Sequence, residues 1–262
     1  MEYTGGINMR LQAQMPIKLR NKILGGRKPL ICIPVISVNE KCLIDEVNEV
    51  IKMKPDVIEW RVDYFENVMD IFKVNSVLKI IRKIIDDIPL ILTCRSHEEG
   101  GYKVIDGETK LKLFEYSIES GNIDAIDMEL AFGKERIERI KSIAIKNSVK
   151  IILSYHNFAE TPSEKFMTEK IKEEISNGAD IAKIAVMTKE QGDVLKLLNA
   201  TYNARKEIPN PLITVSMGSL GLISRLLGFV FGSDMTFAAG VNASAPGQMP
   251  IDEMRRFIET II

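Results

Sequence analysis

The chain has 262 residues, of which 45% are hydrophobic and 27% are charged. This composition is ordinary for a soluble globular protein and too apolar for a disordered one. The formal net charge is -1, which argues against a general electrostatic attraction to nucleic acid or to an anionic membrane.

Short segments typical of β-strands alternate along the chain with longer segments that have helical periodicity. Short runs rich in β-branched residues predict strands, and the segments between them carry apolar residues at helical spacing, as at Leu43, Val47 and Val50. Consecutive strands begin roughly 25–35 residues apart, which is about one strand–helix unit. The eight predicted strands span residues 30–36, 57–62, 90–95, 125–130, 151–156, 181–187, 212–217 and 236–240.

Eight such units in a single domain predict a (β/α)8 TIM barrel over residues 30–262. An open doubly wound sheet is the alternative, but no G-x-G-x-x-G follows the first strand. Residues 1–29 form an N-terminal extension, within which 18–24 are predicted to form a hairpin that closes the barrel bottom. The segment before Met9 equally suits a disordered stretch.

Targeting signals and metal-binding motifs are not evident in the sequence. No apolar run approaches the ~18 residues of a membrane-spanning helix, and the N-terminus has no secretory apolar core. The cysteines Cys32, Cys42 and Cys94 lack the spacing of a zinc site or disulfide scaffold. These features predict a cytoplasmic protein without a metal site or cofactor. The two histidines, His97 and His156, are the only candidates for an acid–base imidazole.

Charged side chains occupy one face of several predicted strands. Because side chains alternate along a strand, Glu59, Arg61 and Asp63 share a face, opposite to Trp60. A solvated edge strand or a purely structural ion pair would give the same pattern. The pattern recurs, however, which favours a polar site at the carboxyl ends of the strands, and the recurring residues are Arg95, Asp127, Glu129, Ser154 and His156.

Lys183 is the most informative residue, because it lies between Ile and Ala residues in the middle of the sixth predicted strand. Burial there disfavours the ammonium and produces a nucleophilic amine of the kind that attacks ketones. A structural lysine paired with Glu129 or Asp127 is the alternative. His156 ends the neighbouring strand and is suited to proton transfer, although a hydrogen-bonded core histidine is the commoner case.

Two loops complete the candidate site. After the seventh strand, residues 216–225 resemble loops that bind anions at a helix N-terminus, and Arg225 is a candidate for holding a carboxylate. A tight turn with a surface arginine is the alternative. After the eighth strand, residues 242–248 are small and polar, which is typical of a lid that closes over a ligand.

These residues together resemble the type I 3-dehydroquinase family from about Leu30 to the C-terminus. Each matching motif is short, but six occur in the right order at the right barrel positions. They are Glu59-Trp60-Arg61-Val62-Asp63, Arg95-Ser96-x-x-Glu99-Gly100-Gly101, Ser154-Tyr155-His156-Asn157-Phe158, Lys183-Ile184-Ala185, Met217-Gly218 through Ser224-Arg225, and Ala243-Ser244-Ala245-Pro246-Gly247-Gln248.

The resemblance implies an activity and a set of roles. The expected reaction is loss of water from 3-dehydroquinate to give 3-dehydroshikimate, a shikimate-pathway step of aromatic amino-acid biosynthesis. Lys183 would form a Schiff base, His156 would act as general base and acid, and Glu99 would orient His156. The substrate contacts implied are Glu59, Arg61, Arg95, Arg225, Ser244 and Gln248, and the family is often homodimeric.

Two departures and two alternatives accompany the resemblance. Pro34 stands where some relatives carry a polar substrate contact, so we assign no contact to the first strand, and Cys94 replaces a common aromatic and is predicted to be core. A class I aldolase acting on a sugar phosphate would share the strand-borne lysine. A non-catalytic barrel that binds a small anion would predict no turnover.

Overall fold

The computed structural model describes residues 10–242 and 245–262. The ten strands of the described residues are β1 Ile17–Leu19, β2 Lys22–Leu24, β3 Leu30–Val35, β4 Val57–Arg61, β5 Leu90–Thr93, β6 Ala125–Glu129, β7 Lys150–Asn157, β8 Ile181–Met187, β9 Leu212–Met217 and β10 Met235–Phe237. Their eight α-helices are α1 Glu40–Lys52, α2 Ile71–Ile85, α3 Gly107–Glu119, α4 Lys134–Lys146, α5 Glu164–Ser176, α6 Gln191–Glu207, α7 Leu222–Leu227 and α8 Ile251–Ile261.

Strands β3 to β10 form one parallel sheet in the order β10-β3-β4-β5-β6-β7-β8-β9, with a helix after each strand. The pairing of β10 with β3 brings the first and last barrel strands together, which confirms the predicted (β/α)8 barrel and excludes an open doubly wound sheet. Between β9 and β10, hydrogen bonds from backbone amides to side chains replace part of the backbone hydrogen-bond ladder. The Leu212 amide donates to Asp234 Oδ2 at 2.7 Å and the Thr214 amide to Ser233 Oγ at 3.0 Å.

All eight predicted barrel strands are present; two have the predicted bounds, and the ends of the other six differ by one to three residues. The fourth ends at Glu129 because Leu130–Phe132 turns into a 3-10 helix. The eighth starts one residue earlier than predicted and ends at Phe237, and beyond it Ala239 makes only an isolated bridge to Pro250.

Because side chains alternate between the two faces of each strand, the core has one layer inside the barrel and another between the strands and the helices. Outward-facing residues such as Trp60 and Cys94 pack with the buried helix faces, as predicted for both. Burial raises the pKa of the Cys94 thiol to about 12, as expected for an inert core cysteine. Helix α1 buries Leu43, Val47 and Val50, the predicted apolar stripe.

The N-terminal hairpin closes the bottom of the barrel, as predicted. Strands β1 and β2 pair antiparallel, and Leu19 and Leu24 pack into the interior cluster with Leu30 and Val57. Lys22 bonds Asp56 at 2.6 Å, which ties the hairpin to the barrel. Residues before Met9, for which disorder was an alternative, lie outside the described residues. Within the described ranges, no helix is long and apolar enough to span a membrane.

Candidate active site

A cavity open to solvent lies at the carboxyl ends of the barrel strands, with about 750 Å³ of empty space when the part continuous with solvent is included. This is the end at which barrel enzymes place their active sites. No residue of β3 lines the cavity. The lining residues are Glu59, Arg61, Tyr64, Arg95, Glu99, Gly100, His156, Phe158, Lys183, Ala185, Val215, Met217, Arg225, Phe237, Ala245 and Gln248.

Lys183 lies in the middle of β8, is 5% exposed and lines the cavity. Its Nζ donates to Asp127 Oδ2 at 2.6 Å and lies 3.6 Å from Glu59 Oε1. The Phe237 ring centroid is 4.7 Å from the same nitrogen. The sequence left Glu129 and Asp127 open as partners of Lys183, and in the structure the partner is Asp127. The lysine is therefore both ion-paired and directed at the cavity.

Behind Lys183, a network of buried charges fixes the floor of the cavity. Arg95 bridges two carboxylates, bonding Asp127 at 2.8 Å and Glu129 at 2.7 Å. Burial would raise the pKa of Glu129, but Arg95 and Lys110 outweigh it and lower this pKa to about 2. Burial would also raise the pKa of Asp127, but Arg95 and Lys183 outweigh it and hold this pKa well below its usual value. Both carboxylates therefore remain ionised and keep Arg95 and Lys183 in place.

His156 and Glu99 form a hydrogen-bonded pair at the cavity wall. Glu99 Oε2 accepts from the His156 backbone amide at 2.8 Å and lies 3.1 Å from its Nδ1. Burial, with help from Arg95 and Lys183, lowers the pKa of His156 well below 6.5, so the imidazole is neutral at pH 7. A neutral imidazole whose Nδ1–H points at a carboxylate presents Nε2 as a proton acceptor. In the ladder, His156 is two residues beyond Ser154, which lies opposite Lys183.

Arg225 is buried at the opposite side of the cavity, 3% exposed, and is not the surface arginine of the alternative interpretation. Among the described residues, its guanidinium reaches only carbonyl oxygens, of Phe237 at 3.5 Å and of Pro246 at 3.2 Å. Its Nε has no partner, and no carboxylate pairs with Arg225 within residues 10–242 and 245–262. Burial lowers its pKa to about 10, so the group remains charged. A buried cation without a counter-ion is suited to binding an anionic ligand.

The remaining predicted contacts are also at the cavity, with one exception. Glu59 accepts from Thr93 Oγ1 at 2.7 Å, and Arg61 bonds Asp63 through Nε at 2.9 Å. Gln248 lines the cavity rim, whereas Ser244 lies outside the described residues. His97 is exposed, as its polar loop predicts.

Sequence reasoning missed several residues that support the site. Phe237 and Phe158 line the cavity, and strand alternation gave no reason to single them out. Lys110, on α3, reaches inward to Glu129 and Ser96, which only the packing of the helix determines. Glu174 on α5 accepts from the Lys183 amide at 2.9 Å, and burial raises its pKa well above 4.5. A helical glutamate carries no sequence signal that would distinguish it from a solvated one.

Fold and site together define a barrel enzyme that brings a buried amine, a hydrogen-bonded imidazole and a buried guanidinium into one cavity. The family model described as type I 3-dehydroquinase matches residues 31–261. The chain therefore belongs to the type I 3-dehydroquinase family, whose members are hydro-lyases.

Individual relatives agree with this assignment. The chain is 43% identical over 247 residues to the 3-dehydroquinate dehydratase of Geobacillus thermodenitrificans, covering 94% of this chain and 96% of that one. The crystal structure of 3-dehydroquinate dehydratase from Geobacillus kaustophilus superimposes with a TM-score of 0.94 at 40% identity, covering 96% and 98% of the two chains. A type I enzyme from Clostridium difficile, crystallised with covalently modified comenic acid, gives 0.91 at 40% identity, covering 97% and 98%.

Proposed function

We propose that this protein removes water from 3-dehydroquinate to give 3-dehydroshikimate through a Schiff base on Lys183. The observation that carries the proposal is one cavity lined by Lys183, His156 and Arg225, for which the described residues provide no carboxylate partner. The substrate offers a matching set of groups, namely a ketone, an acidic C–H beside it and a carboxylate. Relatives with nearly the same chain length bear the name of this activity, and one was crystallised with a covalently modified ligand.

In the proposed reaction, Lys183 first loses a proton to water in the cavity and its free amine attacks the C3 ketone. Loss of water leaves an iminium, which withdraws electrons and acidifies the neighbouring C2–H. Neutral His156 removes that proton, and the electron pair expels the C1 hydroxyl, which leaves as water with a proton from His156. A second water hydrolyses the imine and restores the lysine.

Substrate binding in this proposal uses the charged groups around the cavity. Arg225 holds the substrate carboxylate, since its guanidinium lacks an acidic partner in the described parts of the chain. Glu59, Arg61 and Arg95 hydrogen-bond the ring hydroxyls. Gln248 and Ser244 close over the ligand and exclude water.

An absorbance assay tests the function directly, because the product has a conjugated enone and the substrate does not. Purified protein with 3-dehydroquinate should show a rising ultraviolet signal that persists with a chelator present. No turnover would favour the non-catalytic barrel. Turnover of a sugar phosphate with inhibition by phosphate analogues, rather than by carboxylate analogues, would favour the aldolase.

Arg225→Lys should raise KM for 3-dehydroquinate more than it lowers kcat, because the carboxylate that the guanidinium is proposed to hold is charged in both the bound substrate and the transition state. Losing a charge-assisted hydrogen bond costs about 1.5–3 kcal/mol, which corresponds to a rise in KM of about 10-fold to 150-fold. Steady-state kinetics measures both constants. Arg256→Lys, on the exposed face of α8, serves as the matched control and should behave as wild type. An unchanged KM in Arg225→Lys would exclude Arg225 from carboxylate binding.

The pH profile should report the Glu99–His156 pair. Burial, and to a lesser degree Glu129, raises the pKa of Glu99 to about 7 against the opposing charge of Arg95. Above this pH the carboxylate accepts Nδ1–H and leaves Nε2 free. Below it, the protonated carboxyl donates to Nδ1 and places the ring proton on Nε2, which removes the base. We therefore expect kcat/KM to fall as pH falls through about 7.

Glu99→Gln should lower kcat/KM and abolish this inflection, since glutamine does not titrate. The neighbouring exposed Glu98→Gln is the matched control and should keep the wild-type profile. An inflection near pH 7 that survives in Glu99→Gln would assign it to another group.

Assembly and location extend the proposal. We propose a cytoplasmic homodimer that acts in aromatic amino-acid biosynthesis, with residues 1–29 as an extension of the catalytic barrel at 30–262. Sedimentation at micromolar concentration measures the oligomeric state.

A further inference from the structure

Asp63 is a fully buried carboxylate next to the cavity that does not line it. It follows β4 in the short 3-10 turn Val62–Tyr64. Its two oxygens accept two hydrogen bonds from the Arg61 guanidinium, Oδ1 from Nε at 2.9 Å and Oδ2 from Nη2 at 2.8 Å. Burial would raise the pKa of Asp63, but the bonds from Arg61 outweigh it and lower the pKa below its usual value, so the group stays ionised.

The same carboxylate also holds both ends of the loop that carries Glu99. Asp63 Oδ1 accepts from the Arg95 amide at 3.3 Å, and Oδ2 accepts from the Tyr102 amide at 3.0 Å. One side chain therefore joins the first and last residues of an eight-residue loop. Glu99 lies inside this loop, at a position from which it bonds His156.

The loop between these two anchors is tightly folded. The Gly101 amide donates to the Ser96 carbonyl at 2.9 Å, and a Cβ on Gly101 would lie 2.1 Å from the Arg95 carbonyl oxygen. Gly100 adopts φ of 86°, and its carbonyl accepts from Arg61 Nη2 at 3.4 Å. The Glu99 carboxyl consequently has little freedom to move unless one of the anchors is released.

Further contacts join this loop to the turn that contains Asp63. The rings of Tyr64 and Tyr102 stack with centroids 4.6 Å apart, and Lys103 Nζ donates to the Phe65 carbonyl at 2.7 Å. Turn and loop thus form one unit with the Asp63 carboxylate at its centre.

We propose that Asp63 is a positioning residue that sets the geometry of the Glu99–His156 pair and of Arg61 through the Arg95–Tyr102 loop. The inference rests on the proposed function for its kinetic consequence, but its geometric part concerns the ligand-free protein. Asp63 acts by holding two amides and one guanidinium at fixed positions, and takes no part in proton transfer.

The test compares Asp63→Asn with Asp124→Asn. Asp124 is a good match, because it also pairs with an arginine, Arg82 at 2.6 Å, and accepts a backbone amide, that of Leu90 at 2.8 Å. It lies at the opposite end of the barrel. Both variants lose one carboxylate charge from an ion pair, so a general loss of stability should affect both.

The first readout is the tautomer of His156, measured by ¹⁵N NMR of histidine-labelled, ligand-free protein. The chain has only two histidines, and a His97→Gln sample assigns the signals. Wild type and Asp124→Asn should show the Nδ1–H form at pH 8, whereas Asp63→Asn should show a mixture of tautomers. This readout does not require turnover, so it stands even where the dehydratase assay fails.

The second readout is kinetic. Asp63→Asn should lower kcat on the order of 10-fold to 100-fold, part of the acid–base contribution of His156. KM should also rise, because Arg61 loses its partner, and the inflection near pH 7 should move to lower pH as Glu99 becomes more solvated. Wild-type His156 signals in a folded Asp63→Asn, or equal kinetic losses in both variants, would overturn the proposal.

If Asp63→Asn does not fold, Gly101→Ala tests the same proposal with a second variant. It leaves Asp63 intact and forces the loop away from the Arg95 carbonyl. We expect the same mixture of His156 tautomers and the same shift of the inflection. A Gly101→Ala protein with wild-type tautomer and pH profile would show that the loop does not govern the pair.

Discussion

Lys183→Ala is expected to abolish dehydration of 3-dehydroquinate while the protein remains folded. Without the amine there is no iminium to acidify the C2–H, so the uncatalysed barrier to proton loss returns. Folding should survive because Asp127 keeps Arg95 at 2.8 Å and Ser154 at 2.7 Å, and we expect a loss of about 1–3 kcal/mol in the free energy of unfolding. The absorbance assay and thermal unfolding measure the two quantities.

Borohydride trapping extends this prediction to the bond itself. Borohydride added during turnover should reduce the imine and leave the ligand attached to Lys183 of the wild type, as peptide mass spectrometry would show. Lys189→Ala, an exposed lysine just beyond β8, is the matched control and should be labelled like the wild type. An active sample that remains unlabelled would refute the Schiff-base mechanism.

His156→Ala should separate imine formation from elimination. The imidazole is neutral in the free protein. In the proposed mechanism it transfers protons only after the carbonyl has condensed, so its loss should lower kcat about 10²-fold to 10⁴-fold. Borohydride should still attach the ligand to Lys183. His97→Ala removes the other histidine of the chain, which is exposed, and should retain nearly full activity.

The combination of the two measurements is decisive for the role of His156. A variant that neither turns over nor becomes labelled would place the histidine in binding or condensation. Normal turnover in His156→Ala would assign the proton transfer to another group.

The barrel and the charged residues that its strands place at the cavity were predictable from the sequence, because both follow from local alternation. Glu59 and Arg61 share a strand face, and the order of the strands around the barrel brings them towards Lys183. The buried lysine was recognisable because isoleucine and alanine flank it on both sides. Apolar residues at helical spacing likewise predicted the buried face of α1.

The pairings across the barrel were not predictable, because they depend on distances between strands and loops that no local pattern encodes. Alternation places both Asp127 and Glu129 on the inner face, and only the stagger of β6 against β8 selects Asp127 for Lys183. The bond between Asp63 and the amide of Tyr102 joins residues 39 apart in the chain. Nothing in the composition of either segment indicates it.

The hairpin at the bottom of the barrel has a consequence for water. Among the described residues, Leu19 and Leu24 close that end with apolar side chains, whereas the cavity is open to solvent at the other end, where Gln248 lies. The proposed cycle releases two water molecules and consumes one. In the proposed cycle, the water that hydrolyses the imine is therefore either one of the two molecules released in the cavity or one that enters from the open end, where the ligand also lies.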